Sequence, residues 1–174
     1  MRRLLGFLVA LAPAAYADTG NALIDYDGFA RSVAQVRQLR EARRIPEAQF
    51  MRMAAEPGTV VLDARSERLF RLRHVKGAVN LSFPEFTEET LARSIPAKDT
   101  RVLIYCNNNF TGAPESMPTK AVSSALNLST FVSLHAYGYR NVYELGPAVD
   151  VAKAKVIFEG DEIGSPPTRG WPQR

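Results

Sequence analysis

A chain of 174 residues suits one domain with a substantial core and is short for two. At 46% apolar and 23% charged, with no long low-complexity tract, its composition is that of a soluble globular protein. The formal charge of +4 is too small to argue for nucleic acid, and a single cysteine excludes any internal disulfide.

Met1-Arg2-Arg3 is a short positive start, and Leu4 to Ala15 is an apolar stretch interrupted by Gly6 and Pro13. Ala15-Tyr16-Ala17 has the small-x-small form of a cleavage site, followed by a polar start at Asp18. The run is shorter than the roughly 20 residues needed to span a bilayer, so residues 1–17 are expected to be a signal peptide. The alternative is an uncleaved anchor or a buried N-terminal helix. Without the two leader arginines, 20 basic residues face 18 acidic ones. A periplasmic or secreted protein with no stable membrane insertion is expected. In an oxidising compartment a lone cysteine is either a buried small hydrophobe or a thiol kept for chemistry.

Residues 18–45 form an N-terminal extension. Phe29, Val33, Val36 and Arg40 recur at near-helical spacing, which predicts an amphipathic helix over residues 27–43 with Asp27 as a candidate cap. The cluster Arg40, Arg43 and Arg44, with Glu41 inside it, reads as a solvated helix face. Pro46 fits a first helical turn, continued to Ala55 and ended by Glu56-Pro57-Gly58. Thr59 to Asp63 is a β-branched apolar run, expected as a strand buried on both faces. Residues 64–74 are basic and partly helical. Gly77 to Leu81 reads as a turn and a short strand, and Pro84 to Ser94 as a helix stopped by Pro96.

Arg101 to Tyr105 is the clearest strand and delivers the chain to Cys106. Asn107 to Thr119 holds three asparagines, Gly112, Pro114 and Pro118, and reads as loop. Ala121, Ala125, Leu128 and Val132 predict a core helix over residues 120–136, stopped by Gly138. Asn141 to Leu145 is a further strand. The tail, residues 151–174, carries one possible strand at Lys155 to Glu159 and then Pro166-Pro167, read as poorly ordered. Strands alternating with helices imply a mostly parallel sheet covered on both faces, with ligands at the carboxyl ends of its strands. Cys106 lies at such an end. It is therefore a candidate nucleophile, with a buried inert thiol as the alternative.

The order of these pieces resembles the rhodanese family. Val60 to Arg65 is similar to its hydrophobic run into Asp-x-Arg, and His74 to Leu81 to its His-x-x-Gly-Ala-x-Asn segment. Val102 to Cys106 resembles the strand ending at the active cysteine, and Gly138 to Leu145 the Gly-[Tyr/Phe]-x-x-Val-x-x-Leu strand. The resemblance implies a rhodanese-like α/β domain over residues 46–150, with about five parallel strands and helices on both faces. It implies a sulfurtransferase without a cofactor, in which Cys106 takes up sulfane sulfur as a persulfide and passes it on. The partners would be a small-molecule or protein sulfur donor and a thiol acceptor. Such a site must lower the thiol pKa, through backbone N–H groups and a helix start near Lys120, with Lys120 adding a charge.

Many family members carry a cation five residues past the cysteine, where this chain has Thr111. Asn107, Asn108 and Asn109 are expected to replace it with amide donors, and Phe110, Thr111, Lys120 and Arg65 to complete the substrate contacts. A phosphatase of related fold needs Cys-x5-Arg, but Gly112 stands at the arginine position. Asp63 and Arg65 are expected to pair and fix loop ends near the site, and His74 to pack there. Two histidines and one cysteine far apart make no metal site. Tyr137, Tyr139 and Tyr143 read as packing residues. The other function class is a non-catalytic rhodanese-like module that recognises a partner with its long loop.

Overall fold

The computed structural model describes residues 20–163. The expected signal peptide and Pro166-Pro167 lie outside these residues. The chain opens with α1 (Tyr26–Ala42), β1 (Arg44–Ile45), α2 (Glu47–Ala54), β2 (Thr59–Asp63) and α3 (Glu67–Leu72). There follow β3 (His74–Val75), β4 (Val79–Asn80), α4 (Glu88–Ser94), β5 (Arg101–Tyr105), β6 (Phe110–Thr111) and α5 (Leu126–Ala136). The last elements are β7 (Val142–Leu145), β8 (Val149–Asp150) and β9 (Phe158–Glu159).

Five strands make one parallel sheet in the order β1-β7-β5-β2-β4, as the resemblance implied. Side chains alternate across a strand, so each strand serves two cores. Leu62, Val102, Ile104 and Val142 face α1, α4 and α5, meeting Val36, Leu91, Phe131 and Leu134. Val61, Leu103, Tyr105 and Leu145 face the other way, meeting Phe50 and Met53 of α2 with Phe110, Met117 and Val156. Full burial of one such side chain contributes about 1.5–3 kcal/mol. The shared strands β2 and β5 are thus locked from both sides.

Several boundaries differ from expectation for local reasons. The cap of α1 is Asp25, not Asp27: its carboxylate accepts from Gly28 N at 2.7 Å. The helix expected from Pro84 is split into a 3-10 turn, Phe83–Glu85, and α4. Thr87 separates them because it caps α4 in a reciprocal box with Thr90. The stretch after Cys106 is not wholly loop. It makes a 3-10 turn over Asn107–Asn109, and then β6 pairs with β8. The helix expected from residue 120 starts only at Leu126, after a separate 3-10 turn at Val122–Ser124. Gly138, at φ +89°, ends the helical segment as expected.

Both flanks of the family-like segment join the fold. In α1, Val36 is buried in the first core, and β1 is an edge strand of the main sheet. In the tail, the extra strand is confined to β9, which pairs antiparallel with β3, and Val156 is buried in the second core. No helix among the described residues is long and apolar enough to cross a membrane.

Candidate active site

The site is built where β5 ends. Cys106 continues the strand in extended conformation, φ −146° and ψ −176°, before the chain turns. It stands two residues past Ile104, so its side chain shares the face that carries α1 and α5. The thiol is buried, with 2% of the residue exposed.

Around the sulfur the chain presents backbone N–H groups. Asn109 N–H closes the turn onto Cys106 O at 3.1 Å. Asn108 N–H, and Leu126 and Asn127 N–H from the start of α5, donate to the thiol. The 3-10 turn and the first turn of α5 therefore form a small anion-binding nest. It is made without the cation of the family loop.

The net effect on the thiol is the opposite of the sequence expectation. Burial pushes the Cys106 thiol up. The N–H donors of Asn127, Asn108 and Leu126 pull it back down, while the charge of Glu144 adds to the rise. Burial and the backbone N–H groups thus act on the thiol in opposite directions, and burial outweighs them.

Asn109 ties the site together. Its Oδ1 accepts from Cys106 N at 2.8 Å and from Asn127 Nδ2 at 3.0 Å. Its Nδ2 donates to Leu145 O at 2.7 Å and Pro147 O at 3.2 Å. One buried amide thus fixes the end of β5, the start of α5 and the end of β7. The other two asparagines act on the inserted segment. Asn107 Nδ2 donates to Pro118 O, and Asn108 makes two bonds to the backbone of Lys120, each 2.8–3.0 Å long. The three side-chain amides therefore clamp the chain, and it is backbone N–H groups that face the sulfur.

The remaining expected contacts fall elsewhere. Phe110 is fully buried in the second core, edge-on to Tyr105 and Phe158, because β6 turns it inward. Thr111 is exposed on β6, opposite Asp150. Lys120 is exposed and precedes the α5 start by six residues, so it does not sit at that helix terminus. Arg65, expected to touch substrate, is 2% exposed with all three guanidinium nitrogens occupied. They donate to Asp63, to Ser116 O at 2.9 Å and to Arg73 O at 2.7 Å. Asp63 also accepts from Tyr105 Oη at 2.5 Å. Burial pushes the Tyr105 phenol well up, and the neighbouring Asp63 charge adds to it. His74 stacks on Phe70 at 3.8 Å between ring centroids, and its Nδ1 bonds Phe70 O.

Two residues near the thiol, Asn127 and Glu144, escaped the sequence reading, and Arg40, expected on a solvated helix face, is instead largely buried against Glu144. Arg40 Nη2 meets Glu144 Oε1 at 2.6 Å, joining α1 to β7 beside the site. Asn127 Oδ1, Asn107 Oδ1, Thr130 Oγ1 and Glu144 Oε2 are buried without a hydrogen-bond partner. The signal was present in part. Glu144 is a charge inside the apolar strand Val-Tyr-Glu-Leu, and Asn127 and Thr130 are polar three residues apart on a helix whose other buried residues, Phe131, Val132 and Leu134, are apolar. Two surface concavities have linings that do not include Cys106. One, about 410 Å³, lies by Glu67, Phe70 and Asn80; the other, about 430 Å³, by Arg44, Pro46 and Pro147. Among the described residues, no three metal-ligating side chains cluster.

The chain's similarities fit this geometry. It is 28% identical over 95 residues to the thiosulfate sulfurtransferase PspE of Escherichia coli (strain K12), covering 55% of this chain and 76% of that protein. Its fold matches the crystal structure of BH2092 from Bacillus halodurans with a TM-score of 0.52 at 18% identity, over 74% of this chain and 85% of that one. The rhodanese-like domain of Alr3790 from Anabaena sp. gives a TM-score of 0.49 at 20% identity, over 76% and 89% of the two chains. The family model of the rhodanese-like domain matches residues 46–146, the segment that carries four of the five strands of the main sheet, Cys106 and α5. With that match over more than half its length and a parallel sheet that presents a cysteine at its carboxyl end, the chain belongs to the rhodanese-like domain family.

Proposed function

We propose that this protein is an exported sulfurtransferase that carries sulfane sulfur as a persulfide on Cys106. The observation that carries the reading is the set of backbone N–H groups of Asn127, Asn108 and Leu126 about a sulfur at the end of β5. Such a set favours an anionic sulfur over a neutral one, whatever side chains the loop carries. The similarity to PspE, named for thiosulfate, supports that donor class.

In the proposed reaction, Cys106 first gives up its proton to solvent, and the thiolate so formed attacks the outer sulfur of thiosulfate. A new S–S bond forms, the S–S bond to the sulfonate breaks, and sulfite leaves with the electron pair. The perthiolate charge then rests on the outer sulfur, within reach of the N–H donors. A thiophilic acceptor, such as a thiolate or cyanide, takes that sulfur and returns Cys106 to its thiolate. No cofactor enters, because both steps are nucleophilic displacements at sulfur.

Steady-state formation of thiocyanate from thiosulfate and cyanide tests the reading. Wild type should turn over and Cys106→Ser should not. Burial of the thiol favours a second reading, a rhodanese-like module that binds a partner through the segment after Cys106. Equal, background-level rates in wild type and Cys106→Ser would favour it. Export rests on residues 1–17; a mature chain beginning at Asp18 is expected by N-terminal sequencing, and a retained Met1 would contradict it.

A further inference from the structure

The ion pair between Arg40 and Glu144 lies on the same face of the sheet as Cys106. In the register of β5 with β7, Ile104 is opposite Glu144. Cys106 follows Ile104 by two residues, so carboxylate and thiol project from one face as diagonal neighbours of a parallel pair. Diagonal Cα separations of that kind, about 7–8 Å, are within reach of a long side chain. The side chain of Glu144 is 5% exposed. Arg40 holds Oε1, and Oε2 is buried with no hydrogen-bond partner.

We propose that Glu144 is a positioning residue for the thiol: anchored by Arg40 of α1, it sets a negative charge behind Cys106 and fixes the pH at which the nucleophile forms. In this way α1, which lies outside the matched family segment, reaches the reacting group. The other charged groups around the pair are few. On α1, Glu41 meets Arg40 Nη1 at 3.6 Å. The first turn of α5 has no charged side chain, and His135 sits in its last turn, where burial and then Arg140 and Arg43 push its imidazole down. On β2 and β5, Asp63, Arg65 and Tyr105 form their own bonded set. Lys120 in the inserted segment is exposed. Glu144 is therefore the charge whose removal should change the thiol most. The effect on Cys106 runs upward, in line with this placement.

The test is the ultraviolet absorbance of the thiolate, followed against pH in the purified mature protein, with Cys106→Ser as the blank. In Glu144→Gln the midpoint should move to lower pH, and the thiolate fraction at neutral pH should rise in proportion. Glu144→Asp, which keeps the charge, should stay near wild type. If Glu144→Gln fails to fold, R40M/E144L removes the whole ion pair, and its midpoint should fall by less, because the Arg40 cation leaves with the carboxylate. A midpoint unmoved or raised in the folded neutral variant would overturn the assignment. The proposal rests on Cys106 as the nucleophile, yet it reads ionisation and not sulfur transfer. A shifted midpoint in a protein that transfers no sulfur would contradict the proposed function and leave this assignment standing.

Discussion

Two buried polar networks sit back to back at the carboxyl end of β5, and they are built by different rules. On the α2 face, Tyr105, Asp63 and Arg65 bond to one another and to the carbonyls of Ser116 and Arg73. Every polar atom of those three side chains has a partner. On the α5 face, Asn109 bonds Cys106 N and Asn127, Glu144 pairs separately with Arg40, and Asn127 and Glu144 each leave an oxygen unpaired. A satisfied buried network holds structure, while an unsatisfied buried group costs stability and calls for another explanation. The first network fixes the frame. The second leaves acceptor oxygens unpaired beside the sulfur, which disfavour negative charge there; the groups that favour it are the backbone N–H groups of Asn127, Asn108 and Leu126.

The comparison breaks most visibly at Arg65. Arg65→Ala leaves Asp63 buried and unpaired and frees the anchor of Ser116. We expect a loss of about 3–5 kcal/mol, the cost of removing one partner of a buried pair, read by denaturant unfolding. A loss below 1 kcal/mol would mean that the network is not the frame. Asn109→Ala comes next. It strands Cys106 N–H and Leu145 O, for about 1–3 kcal/mol per stranded group, and should also loosen the start of α5. Hydrogen exchange at Leu126 and Asn127 checks that second part; unchanged protection there would show that Asn109 is not the tie.

The smallest effect is in pH. The folded thiol is pushed up, so the unfolded chain releases the Cys106 proton first as pH rises. This contribution to stability is complete below the ordinary thiol value of about 8.5 and is lost as pH climbs through the folded value. Thermal unfolding of wild type should weaken over that alkaline range more than that of Cys106→Ser. Identical slopes would show that the thiol is not raised.

Much of the sheet was legible because its signal is local. β2 and β5 are short β-branched or apolar runs bounded by turn residues, and both fell where the pattern put them. The helix starts were less legible, since a cap is one hydrogen bond: Asp25 and not Asp27 accepts from Gly28, and α5 waits until Leu126. The position of Cys106 could be read from the strand that delivers it. What surrounds it could not, because the donors are backbone N–H groups and every residue has one. The asparagine run suggested side-chain donors, yet those amides are consumed in clamping Pro118, Lys120, Leu145 and Pro147. Arg40 reaches Glu144 across 104 residues of chain, a separation that no local pattern encodes.

The central claim is that Cys106 accepts sulfur. Its most direct test is the intact mass of the purified mature protein after incubation with thiosulfate, beside Cys106→Ser treated in the same way. The account predicts a gain of one sulfur, about 32 Da, on wild type alone, reversed by a thiol acceptor as expected of a reversible cysteine cap. An unchanged mass in wild type, with Cys106 open to alkylation, would contradict it.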